Sequence, residues 1–176
     1  NVFNGTVTMT ADTAGYVCDA TFNGNTTFNV ASGNGYILSN TTSANFTATV
    51  FTIRYQSNTF GGTTSLTQTG TLNSLSNGAN VYNGATTITN TNTGILRNAS
   101  FNSDDFNSDA TFAQTGSGLL SPVYSHDVTF AGNVSTVGST SVITFGTTGA
   151  FAAIFDGSGT QVVDGPAAFI PIFTHA

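Results

Sequence analysis

The chain has 176 residues and 18.0 kDa, enough for one domain with its own core, and its formal charge of -6 comes from Asp outnumbering Arg. Glu, Lys and Trp do not occur, so the residues that line exposed helical faces are nearly gone and a helical protein is excluded. No basic patch exists to follow a phosphate backbone, which argues against nucleic acid as a partner, and no apolar run reaches the roughly 18 residues of a membrane span.

In chain order, the first element expected follows Phe3-Asn4-Gly5, where an aromatic and a turn dipeptide lead into the alternating run Thr6-Val7-Thr8-Met9. A second strand is expected at Gly15-Tyr16-Val17-Cys18, with Cys18 a small buried hydrophobe that has no partner for an intrachain disulfide. The same pair of landmarks returns at Phe22-Asn23-Gly24 and Gly35-Tyr36-Ile37-Leu38. From Phe46 to Asn80 the composition persists while the spacing breaks, with Phe46 or Phe60 as the aromatic, and this stretch reads as an irregular coil or an insertion. The pattern resumes at Tyr82-Asn83-Gly84 with Gly94-Ile95-Leu96, at Phe106-Asn107-Ser108 with Gly118-Leu119-Leu120, and at Phe130 with Val142-Ile143, before a last aromatic at Phe155. The best-matched copies are about 24 residues apart, a solenoid period.

One copy reads as a coil of short strands. Asn-Gly turns the chain because Gly accepts positive φ, the Thr-rich run forms a strand with one face inward, and the second Gly bends the chain into the next strand. A single coil cannot bury its own apolar face, but stacked coils can, which predicts an all-β, right-handed parallel β-helix of about six to seven coils. An antiparallel β-sandwich is the alternative. The solenoid is expected over 1–165, irregular at about 46–80, with Phe3, Phe22, Tyr82, Phe106 and Phe130 in one inward stack. Residues 166–176 form a separate apolar segment in which Phe169, Ile170, Pro171, Ile172 and Phe173 serve as a lid or a subunit contact.

No catalytic residue and no cofactor is expected. The densest acidic stretch, Asp104, Asp105 and Asp109 in FNSDDFNSD, reads as turn chemistry, with Ca²⁺ as a weak alternative and a carboxylate pair for polysaccharide cleavage weaker still. Arg54 and Arg97 read as exposed residues, and His126-Asp127, between two strand runs, would suit a base with its orienter were it not that adjacent residues in a strand point to opposite faces. His175 reads as solvated. Thr-x-Thr pairs at Thr6-Val7-Thr8, Thr47-Ala48-Thr49, Thr67-Gln68-Thr69 and Thr87-Ile88-Thr89 would bind ice if stacked flat, yet their phase is not held from coil to coil, so ice binding is not expected. Glycosylation sequons at Asn4, Asn25, Asn40, Asn45, Asn98 and Asn133 are no more frequent than this composition produces by chance.

The runs FNSDATFAQTGSGLL, VTFAGNVSTVGSTSVITFG and GSGTQVV resemble the strand repeats of large cell-surface proteins and adhesins of Bacteroidota, over about Phe3 to Val163. That resemblance implies a right-handed β-helix in an extracellular stalk or fibre, exported by the type IX route, with no catalytic residues. The function expected is therefore a non-catalytic structural or adhesive protein of the cell surface that self-associates into a fibre or continues a longer stalk, with surface glycans as further partners. A β-helix carbohydrate-active enzyme or a glycan-binding module is the alternative.

Overall fold

The computed structural model describes residues 1–138, 142–146, 151–158, 162–164 and 172–173. Every paired strand runs parallel to its neighbour, and the chain winds through about seven turns of a right-handed parallel β-helix, with no helix among the described residues.

Each turn contributes to three faces. The first face is an 8-stranded sheet of β1 (Val2–Phe3), β4 (Thr21–Phe22), β6 (Thr41–Thr42), β8 (Thr59–Phe60), β11 (Val81–Tyr82), β14 (Asp104–Phe106), β17 (Val128–Phe130) and β20 (Ala153–Phe155). The second stacks β2 (Val7–Ala11), the first part of β5 (Thr26–Leu38), the first part of β7 (Phe46–Gln56), β9 (Thr64–Gln68), β12 (Thr86–Asn90), β15 (Ala110–Gln114), β18 (Val134–Gly138) and β21 (Val163–Asp164). The third holds β3 (Gly15–Cys18), the remainders of β5 and β7, β10 (Ser74–Gly78), β13 (Ile95–Arg97), β16 (Leu119–Val123), β19 (Val142–Phe145) and β22 (Ile172–Phe173).

The aromatics form a column because strand pairing puts like on like. Phe3 pairs with Phe22, Phe60 with Tyr82, Tyr82 with Phe106, and Phe106 with Phe130, with ring centroids between 4.4 and 5.2 Å where these rings stack. Phe3 is the exception to burial, at 40% exposure on the first turn. The column is interrupted at Thr42, which pairs with both Phe22 and Phe60. Phe46, at the start of β7, fills that gap from the adjacent face with its ring 6.5 Å from Phe22 and 5.3 Å from Phe60.

Three sequence expectations are corrected or narrowed. The stretch 46–80 supplies β7 to β10 of the stack and so is not an insertion, while its irregularity shows as a register shift between β7 and β10 at Ser76 and Gly78 and as a change of offset between turns, from 18 residues at Asn40 and Asn58 to 24 at Asn80 and Asp104. Cys18 is exposed, because Val17 takes the inward position on β3. The Gly of the aromatic-Asn-Gly turns is not needed for positive φ, which among the described glycines is confined to Gly33, Gly78 and Gly146. It is needed for close stacking: a Cβ on Gly24 would lie 2.5 Å from the backbone of Gly5, and one on Gly84 would lie 2.4 Å from the Gly62 carbonyl oxygen.

Left-handed corners fall instead on Asp19, Ser39, Ser57, Ala79 and Ala99, with φ between 49° and 58°. Asn and Asp tolerate such corners better than Ala does, so the corners at Ala79 and Ala99 need support from their surroundings. That support is a buried amide ladder, whose Asn80 directly follows Ala79 and whose last member, Asp104, accepts the Ala99 N–H.

Candidate functional site

The acidic stretch does not converge as one cluster. Asp104 and Asp105 belong to strand β14 rather than a turn, with Asp104 fully buried and Asp105 half-buried, while Asp109 lies exposed at the next corner. Alternation along the strand sends the first two to opposite faces. Among the described residues no three His, Cys, Asp or Glu side chains converge in a way that would hold a metal ion. Asp109 does turn chemistry, its Oδ1 accepting the Asn133 backbone N–H at 2.8 Å.

Asp104 ends a ladder that the sequence reading missed. Asn58 Oδ1 accepts both the backbone N–H and the Nδ2–H of Asn40, at 3.0 and 3.1 Å, and Asn80 Oδ1 does the same for Asn58, at 3.1 and 3.0 Å. Asp104 Oδ1 accepts the corresponding pair from Asn80, each at 2.9 Å, and Oδ2 takes the Ala99 N–H at 3.3 Å. An interior member must donate as well as accept, which requires Asn, whereas the terminal member only accepts and suits a carboxylate. The next position in the column is Val128, which ends the series. The sequence signal was present: an Asx stands two residues before Thr42, Phe60, Tyr82 and Phe106.

Burial pushes the Asp104 carboxyl up from 3.8 to about 6, against the lowering effect of the bonds from Asn80 and Ala99. The folded protein therefore binds a proton that the unfolded chain has lost between these values. Stability should fall as pH rises from about 4 to about 6, by about 3 kcal/mol, and then level off. Urea unfolding across that range, compared with Asp104→Asn, checks this: the difference between the two proteins should vary with pH only within that window.

The other candidates lie apart from the ladder. Arg54 and Arg97 are half-buried, not exposed, with guanidinium carbons 6.0 Å from the Tyr36 ring and 4.7 Å from the Tyr124 ring. His126 and Asp127 lie between β16 and β17, as the sequence places them; the His126 ring stacks 5.2 Å from Phe151, and Asp127 Oδ1 accepts the Ala152 N–H at 2.7 Å. Phe169, Ile170, Pro171 and His175 lie outside the described residues, while Ile172–Phe173 pairs through its backbone with β19.

What the fold does assemble is the outer side of the second face. Alternation on these strands points every second residue outward, and strand pairing stacks the outward residues in two columns. Thr8, Thr27, Thr47, Ser65, Thr87, Thr111 and Ser135 form one column. Thr10, Asn29, Thr49, Thr67, Thr89, Ala113 and Val137 form the other. As the sequence suggested, a full Thr-x-Thr pair is not held in every coil: it stands at Thr8 and Thr10, Thr47 and Thr49, and Thr87 and Thr89, while Ser, Asn, Ala or Val replaces one or both residues on the other strands. Unequal turn lengths hide the columns in the sequence, and two of the pairs named there, Thr6-Val7-Thr8 and Thr67-Gln68-Thr69, are displaced by two residues from the true columns at Thr8-Met9-Thr10 and Ser65-Leu66-Thr67. Neither column contains a charge or an aromatic ring; the flanking acids are Asp12 after β2 and Asp109 before β15. Searched against family models, curated proteins and solved structures, the chain matches none.

Proposed function

We propose that the protein is a non-catalytic structural and adhesive solenoid of the cell exterior, one section of a stalk or fibre. The observation that supports this reading most is that successive turns repeat the same contacts: Phe on Phe, Thr on Thr and Asn on Asn. A rod built this way is complementary to itself by translation along its axis. At ~4.8 Å per turn its seven turns measure roughly 30 Å. The edge of β1 to β3, with Phe3 and Tyr16 exposed at 40% and 66%, is a surface on which a further turn of this or another chain would pair. Beside it lies an open apolar recess of about 190 Å³ lined by residues including Phe3, Met9, Tyr16 and Phe22.

The expected result is that antibody against the chain labels intact, unpermeabilised cells and that micrographs of the native material show thin rods or fibres. Labelling only after permeabilisation would overturn the reading, and turnover of a polysaccharide by the purified protein would replace it with the enzyme alternative.

A further inference from the structure

We infer that the outer side of the second face binds ice, which names the solid that the adhesive half of the proposed function would hold and rests on that half. The strands fix a two-dimensional array of side chains, hydroxyl-bearing throughout the first column and at Thr10, Thr49, Thr67 and Thr89 of the second, with neighbours ~4.8 Å apart along a column and about 6.7 Å apart between columns. Both spacings fall close to oxygen repeats on the faces of hexagonal ice. In-register stacking of like residues is the circumstance in which a sheet stays flat over many strands, and a flat solid needs a flat partner.

The choice of side chain points the same way. Threonine is β-branched and stiff at χ1, so its hydroxyl and methyl are held in place before contact and little rotamer freedom is lost on binding. The outward hydroxyls of Thr8, Thr47, Thr49, Thr87 and Thr89 make no hydrogen bond to another described residue, leaving donor and acceptor capacity for water. Charges would impose their own hydration shell on adjacent water, and the two columns have none. A neutral crystalline polysaccharide is the other flat hydroxylated solid, but its sugar rings are gripped by stacking on aromatic platforms. The exposed aromatics Phe3, Tyr16, Phe101 and Phe155 all lie off this face among the described residues.

The test uses the purified full chain, with ice as the probe, in ice-affinity partition and in inhibition of ice recrystallisation. Thr47→Lys/Thr87→Lys adds two long charged side chains in the middle of one column, at outward positions that leave the core untouched; Phe101→Lys adds a charge at a residue 61% exposed elsewhere. The wild type and Phe101→Lys should enter growing ice and stop recrystallisation, and the double variant should need about tenfold more protein for the same effect, with its circular dichroism and melting temperature unchanged. Exclusion of the wild type from ice to the same extent as serum albumin overturns the inference. So does equal activity of the double variant, or retention of the wild type on cellulose or chitin without any effect on ice. Surface labelling and rod formation are measured separately, so failure on ice would leave the structural reading standing.

Discussion

Phe106→Ala should lower the unfolding free energy by about 3–5 kcal/mol. The ring is buried to 1% and is shared by three neighbours, stacked with Tyr82 at 4.4 Å and Phe130 at 5.2 Å and edge-on to Phe112 at 5.6 Å. Turns above and below are held at one strand spacing by their own hydrogen bonds, so the cavity cannot collapse and the cost falls at the upper end for an aromatic truncation. For a chain of this size the melting temperature should drop by roughly 10 °C or more. Phe101→Ala is the control: that ring is 61% exposed, and its loss should stay within about 0.5 kcal/mol. Guanidinium unfolding of the two variants gives the comparison, and equal losses would mean that the ring column does not hold the turns together.

Asn58→Ala should be comparably damaging although the side chain is small and polar. Its Oδ1 is the acceptor for the Asn40 backbone N–H, and its Nδ2 donates to the Ile37 carbonyl at 2.8 Å, so truncation strands groups in a fully buried position. An orphaned buried donor or acceptor costs about 1–3 kcal/mol, and two of them put the loss at several kcal/mol. The removed acceptor also served the Asn40 amide, and Asn40 in turn serves the Ala20 N–H at 3.1 Å, so the damage should spread toward the first turns. Hydrogen exchange at Ala20 and Asn40 should quicken while that at Tyr82 and Phe106 stays slow. Asn4→Ala, which loses only an exposed bond from Asn23 at 2.8 Å, should change the denaturation midpoint little. A midpoint for Asn58→Ala equal to that of Asn4→Ala would show that the ladder is dispensable.

These two columns differ in how visible they are before folding. Aromatics are few, so Phe22, Tyr82, Phe106 and Phe130 stand out and their phase can be traced by eye; the Gly-apolar pairs at Gly15, Gly35, Gly94 and Gly118 support it. Asn and Thr are everywhere, so Asn40, Asn58 and Asn80 are lost among other turn asparagines, and the Thr columns among other threonines. Asp104 was legible as an acid but not as a buried one, because nothing local distinguishes it from Asp105; only the stacking of β14 against β11 sends one inward and the other out. The Gly of the turns was legible as necessary but for the wrong reason, since a sequence shows its own backbone and not the neighbouring turn that a Cβ would strike.

Composition and phase by themselves determined that the chain is all-β, that it is built from repeats, and that its aromatics point into a shared core, because alternation and turn chemistry are local properties that each residue carries with it. Register was decided only by tertiary structure. Turn lengths vary between neighbouring coils, so no fixed sequence offset aligns Thr8 with Thr87 or Asn40 with Asp104; the alignment emerges when backbone pairing stacks each strand on the one before. That stacking absorbs length differences at the corners and leaves the faces in step, which is why the outward Thr and Ser columns and the amide ladder exist in the folded rod and in no single stretch of the chain.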